Sequence, residues 1–176
     1  MTGPGTLDWQ PADAVLLAAP VTSALETWSR AGEVRVAQID PDLADTAAFC
    51  DRYHVLAEDS ANCVVISGRR GDTVRYAACV VLANTRADVN TVVRKRLDAR
   101  KASFASMEDA VTLTGMEYGG ITPLGLPEAW PILIDRAVLD RDVVVIGSGL
   151  RRSKIALPST ALADVPGAEI VDGLAS

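Results

Sequence analysis

Residues 61–83, ANCVVISGRRGDTVRYAACVVLA, constrain the fold more than any other stretch of this chain. Two runs rich in Val, Ile, Cys and Ala flank the polar turn GRRGD, the pattern of an antiparallel hairpin. A hairpin that long presents two edges and two faces, so other elements must pair with it and cover it. The chain supplies them in irregular order. EVRVAQI, residues 33–39, alternates as a strand, and DTAAFCDRYH, residues 45–54, reads as a helix opened by an Asp-Thr cap. ADVNTVVRKRLD, residues 87–98, is helical with Val89, Val92, Val93 and Leu97 on one face. MEDAVTLTG makes a short helix with Ser106 as N-cap and Gly115 just past its end. ILID, DVVVIGSG and SKIAL are strands, PSTALAD is a short capped helix, and AEIVD is a last strand. At the amino end, PADAVLLAAP and VTSALETWSR read as one or two amphipathic helices, broken or offset near Pro20, with Leu25 and Trp28 on the packing face. The predicted class is α+β: a mixed, partly barrel-like β-sheet with surrounding helices, in one domain over residues 1–176. Residues 1–44 form an amino-terminal helical addition and first strand.

Composition removes several functions. With 49% hydrophobic residues in 176, the chain buries a real core. The amino terminus has no basic stretch before an apolar one, and the longest apolar run, AVLLAAPV, is too short to span a bilayer, so a soluble, cytoplasmic protein without a membrane partner is expected. Cys50, Cys63 and Cys79 show no C-x-x-C spacing and fit reduced, buried thiols; the one histidine, His54, sits at a predicted helix end, and no metal site is expected. The net charge of −6 is uneven: residues 1–68 hold 3 basic and 10 acidic side chains, residues 69–101 hold 9 and 3, and residues 102–176 hold 5 and 10. Arg94, Lys95, Arg96, Arg100 and Lys101 belong to the basic block, which serves either as a solvated helix face or as a grip on phosphates.

Familiar catalytic patterns fail. The strand running into Gly147-Ser148-Gly149 lacks the third glycine of a dinucleotide loop, and a strand, not a helix, follows it. There is no G-x-S-x-G elbow for a serine nucleophile, and Glu108 and Asp109 are adjacent on a helix and point apart. What remains is TGMEYGGITPLGLP, residues 114–127, which holds Gly115, Gly119, Gly120 and Gly125 with Pro123 and Pro127. Such a loop can turn backbone N–H groups inward on an anion or a developing oxyanion, or it can be a tight connection that only serves folding. Composition leaves both open.

The glycine loop GMEYGGITPLGLP, followed by ILID with Asp135, then VIGSG, and preceded by LANTRADVNTVVRKRLDARKASFAS, resembles the YbaK/EbsC family, the freestanding relatives of the prolyl-tRNA synthetase editing domain. The resemblance covers residues 45–172. It implies hydrolysis of the ester that joins a wrong, small amino acid to the 3′ end of tRNA, by water and without a protein nucleophile, metal or organic cofactor. It further implies that Gly119, Gly120, Ile121 and Thr122 form the carbonyl-binding wall. By the same resemblance, Pro123, Asp135, Gly147, Ser148 and Gly149 would shape the substrate site, and Arg94, Lys95, Arg96, Arg100 and Lys101 would face the acceptor stem. The tRNA acceptor end is the implied partner, with an aminoacyl-tRNA synthetase as a second. Editing members carry a lysine on the strand written here as SANCVVIS, and Asn62 stands in its place. The only lysines, Lys95, Lys101 and Lys154, lie outside that strand, so its cation has no obvious substitute unless Asn62 itself or a lysine arriving from elsewhere, such as Lys154, does its work. The alternative function is a non-catalytic module of the same fold that recognises an aminoacyl-tRNA end, an aminoacyl-like small molecule or a synthetase.

Overall fold

The hairpin forms as its sequence demands. In a computed structural model that describes residues 3–176, β3 (Ala61–Arg70) pairs with β4 (Thr73–Leu82) in unbroken antiparallel register from Ala61↔Leu82 to Arg70↔Thr73, and Gly71 turns the chain at φ 59°. Because side chains alternate along a strand, β4 feeds two cores. Ala78, Val80 and Leu82 enter one, and Ala77, Cys79 and Val81 enter the other.

The remaining described strands are β1 (Gln10–Pro11), β2 (Arg35–Gln38), β5 (Lys101–Phe104), β6 (Ile132–Asp135), β7 (Val143–Gly147), β8 (Ser153–Pro158) and β9 (Ala168–Val171). They build a five-stranded mixed sheet, β5-β3-β4-β6-β9, and a four-stranded sheet, β1-β2-β8-β7. A parallel bridge from Ser60 to Val145 joins the start of β3 to β7, so the two sheets curl toward a partial barrel. The α+β class with a barrel-like mixed sheet is what the chain adopts. Val36, Ile132, Ile134, Val144, Ile146, Ile155 and Leu157 fill the space between the sheets. Outside the four-stranded sheet, Phe49 of α2 (Thr46–Tyr53) and Trp9 cover Ala37, Val145 and Ala156.

The amino-terminal segment is woven into this body. Pro20 does not interrupt a helix but opens one, α1 (Ala19–Thr27), in the first turn, where a missing N–H has no partner to lose. Trp28 is buried and donates its indole N–H to the Asp164 carbonyl (2.9 Å), tying α1 to the far end of the chain. The expected helix over residues 87–98 is shorter and wider than its periodicity implies. Val89–Val93 form a π-helical turn, capped by the Asp88 carboxylate on Thr91 N–H (3.0 Å), which runs into α3 (Arg94–Arg96). Asp98 then takes a left-handed conformation (φ 51°), which Asp tolerates better than most residues, and its carbonyl accepts from Arg70 Nε (2.8 Å). That bend releases residues 101–104 to pair with β3 as β5, a strand that no alternation in KASF announces. The remaining α-helices among the described residues are α4 (Met107–Thr114) and α5 (Arg136–Leu139). Among the described residues, no helix is long and apolar enough to cross a membrane.

Candidate active site

The glycine loop is laced to the turn between β7 and β8. Glu117 N–H donates to the Gly149 carbonyl (2.9 Å), Gly149 N–H to the Gly120 carbonyl (2.7 Å), and Arg151 N–H to the Glu117 carboxylate (2.7 Å). This seam excludes side chains. A Cβ at Gly120 would lie 2.7 Å from the Leu150 carbonyl oxygen, and one at Gly147 would lie 2.5 Å from the Gly120 carbonyl oxygen. Gly120 N–H is also committed, to the Glu117 carbonyl (2.9 Å). On either side of it, the amides of Gly119 (φ 88°) and Ile121 have no acceptor among the described residues, and both residues line a cavity of about 300 Å³.

That cavity opens where the two sheets part. Ala61, Cys63 and Val65 of β3, with Ala105, Ala110 and Ile121, give it a small apolar wall. Its polar side chains come from Asp45, Thr46, Asn62 and Lys154. Thr46, in the first turn of α2, donates its hydroxyl proton to Asn62 Oδ1 (2.6 Å), which leaves the Asn62 amide with two donors and no protein acceptor among the described residues. Lys154 of β8, the register partner of Gly147 on β7, also lines the cavity; it is 7% exposed, with its Nζ donating to the Ala44 carbonyl (3.1 Å) and lying 5.0 Å from the Phe49 ring centre. Phe104 and Tyr118, both exposed, stand at the mouth. Desolvation pushes the Cys63 thiol well above its ordinary value and Cys79 up to about 12, so neither is a thiolate near neutral pH.

Of the residues singled out by sequence, Asn62, Gly119, Ile121 and Gly147 come together on the cavity wall, and Gly120 forms the seam beside them. Thr122 and Pro123 are buried outside the lining, and Thr122 Oγ1 has no hydrogen-bond partner among the described residues. The Ser148 hydroxyl is spent on the turn, 2.7 Å from Ser153 Oγ and within reach of the Leu150 carbonyl. Asp135 lies away from the cavity lining. Its carboxylate accepts from Leu174 N–H (3.1 Å) and Ala175 N–H (3.4 Å), which pins the carboxyl-terminal segment. The basic block divides. Arg96 pairs with Glu169 of β9 (2.7 Å) and Arg94 donates to the Asn90 carbonyl (2.7 Å), while Lys95, Arg100 and Lys101 are exposed without a side-chain partner among the described residues. β5 runs from Lys101 to Phe104, linking those free cations to the cavity mouth.

The strand itself carries no lysine, and of the three in the chain it is Lys154 that reaches the same cavity, from β8. The sequence signal was present in SKIALP, where one lysine interrupts a strand whose neighbours are otherwise apolar or small. Arg151 was unforeseen. Its guanidinium donates to the Tyr118 and Pro41 carbonyls (3.1 Å each) and so braces the loop against the 3-10 turn Pro41–Leu43 that precedes α2.

Comparison with known structures returns the same architecture. The chain is similar to a candidate trans-editing enzyme for prolyl-tRNA synthetase, with a TM-score of 0.74 and 21% identity over 88% of this chain and 94% of that one. It is also similar to the hypothetical protein APE2540, with a TM-score of 0.76 and 18% identity over 89% of this chain and 99% of that one. At the level of sequence, residues 40–165 match the aminoacyl-tRNA editing domain, a span that holds the glycine loop, the β7–β8 turn and every residue lining the cavity. With that match over most of its length, the chain belongs to the aminoacyl-tRNA editing domain family.

Proposed function

We propose that this protein deacylates mischarged aminoacyl-tRNA, releasing a small amino acid. The observation that carries the reading is the pair of unengaged amides, Gly119 and Ile121, on the wall of a cavity whose only side-chain thiol is held protonated. The substrate's ester carbonyl lies against these amides. Water adds to the carbonyl carbon, the oxygen takes the developing negative charge, and the bond to the ribose oxygen breaks as a proton passes to that oxygen. The products are a free amino acid and a tRNA with its terminal hydroxyl restored. Backbone donors held by the Gly120–Gly149 seam reorganise little as charge develops, which is the source of their advantage over water. The small apolar wall of Ala61, Ala105 and Ala110 supports a short side chain on the substrate. Lys95, Arg100 and Lys101 grip acceptor-stem phosphates, and a synthetase that makes such esters is the second partner, in the cytoplasm.

The test is a panel of mischarged tRNAs with release of the amino acid as readout. Hydrolysis of at least one ester of a small amino acid, above the no-enzyme rate, is the expected result. A verified fold with no hydrolysis across the panel replaces this reading with the non-catalytic binding module.

A further inference from the structure

Lys154 is an unneutralised cation in a place where stability alone favours an apolar side chain. It stands between Gly147 on β7 and Ala37 on β2, in the middle of the four-stranded sheet. One ammonium proton goes to the Ala44 carbonyl and the Phe49 ring receives part of the charge, yet among the described residues no carboxylate lies within 4 Å. Three titratable or charged groups face it from the packed elements: Cys50 of α2, Asp45 at the start of α2, and Arg151 from the β7–β8 turn. Asp45 is no counter-ion for it, being largely exposed and 3.9 Å from Arg151. A buried ammonium without a counter-ion is costly, whereas Met would fill a similar volume without that cost. The group nevertheless borders the cavity, where an incoming anion would complete it.

We propose that Lys154 is the cation of the editing pocket, holding a negatively charged oxygen of the aminoacyl-tRNA end from β8 in place of the charge that Asn62 cannot supply from β3. The inference rests on the editing reading above. The oxygen is either a phosphate of the terminal nucleotide, present in the ground state, or the alkoxide that develops on the ester carbonyl. Burial lowers the lysine to about 8, with Arg151 pushing the same way and Cys50 and Asp45 opposing. Its charge is therefore largely present at neutral pH and fades as pH rises through 8, and a bound anion would draw a proton back.

Three variants test this: Lys154→Met, Lys154→Arg, and Lys154→Met combined with Asn62→Lys. On the ester that the wild type hydrolyses, Lys154→Met is expected to lose about tenfold or more in kcat/KM. The loss falls in KM if the oxygen is a phosphate and in kcat if it is the alkoxide. Lys154→Arg keeps its activity above pH 8, where the wild type declines. The double variant regains part of the loss because the charge returns from β3. A parallel measurement needs no turnover: binding of an amide-linked, non-hydrolysable aminoacyl-adenosine 5′-monophosphate at pH 8.5, followed by proton uptake. Uptake by the wild type and none by Lys154→Met supports a phosphate ligand even if no ester is cleaved. Hydrolysis that is unchanged in Lys154→Met, with an unaltered pH profile, overturns the role of Lys154 and leaves the editing reading standing. Failure of both hydrolysis and proton-linked binding in the wild type overturns both.

Discussion

Each glycine in this site has its own physical reason. Gly120 is required by packing against backbone, because a methyl group there would meet both the carbonyl oxygen and the carbonyl carbon of Leu150 at 2.7–2.8 Å. Backbone cannot step aside as the end of a flexible side chain can. Gly120→Ala is therefore expected to cost about 1–3 kcal/mol in urea-induced unfolding and to open the seam to Gly149. Gly32→Ala, where nothing lies within 4 Å, changes stability little and serves as the control. Equal midpoints for the two variants would show that the loop yields freely. Asp135 tells a different story. It reads in sequence as a site residue, but its carboxylate holds the Leu174 and Ala175 amides. Asp135→Ala should lower stability by about 1–3 kcal/mol while deacylation kcat stays at the wild-type value. A selective loss of kcat with unchanged stability would return Asp135 to the site.

At the scale of elements, the basic block is two structures with two functions. α3 commits Arg96 to Glu169 and so tethers β9, the outermost strand of its sheet. The free charges are Lys95 on α3, Arg100 in the bend and Lys101 on β5, which leads to the cavity mouth at Phe104. Replacing Lys95, Arg100 and Lys101 by Ala should weaken binding of unrelated tRNAs alike. The slope of log affinity against log salt should flatten by roughly 0.7–0.9 per phosphate contact removed. Arg96→Ala, by contrast, should act mainly on stability. Fluorescence titrations over a salt series check this, and a slope unchanged by the triple substitution would leave the block as a solvated face. The sequence showed the charges and the valine stripe of residues 89–97, but it could not show that Asp98 reverses the chain, because a left-handed Asp leaves no mark in periodicity. β5 was hidden for the same reason: a four-residue edge strand is defined by its partner, β3, more than by its own alternation.

The whole molecule carries the cost of its pocket in its pH dependence. Lys154 titrates at about 8 in the fold against 10.5 for an ordinary lysine, so folding disfavours its charged form. The penalty, about 3 kcal/mol, is fully present below pH 8 and is relieved as pH rises toward 10.5, where the unfolded chain still binds the proton that the fold has released. The thiols run the other way. Cys79, raised to about 12 from an ordinary 9, makes ionisation of the unfolded chain erode stability above pH 9. Lys154→Met isolates the lysine: its stability relative to wild type should be highest at neutral pH and decline between pH 8 and 10.5, as read by denaturant unfolding across that range. A difference that does not vary with pH would mean that Lys154 is not desolvated in solution. Sequence by itself determined the hairpin, the capped helix α4, the succession of strands along the carboxyl-terminal half and the glycine loop, because alternation, caps and turn residues act over a few neighbours. Tertiary structure alone decided which residues meet. Asn62 and Lys154 stand 92 positions apart and share one cavity only because β3 and β8 approach through the Ser60–Val145 bridge and the pairing of β7 with β8. Asp135 and Ser148, close to the loop in sequence motif, are turned to structural work by partners that no local pattern specifies. Charge in a pocket depends on position in space, and in this fold a lysine on β8 can reach where β3 offers only an amide.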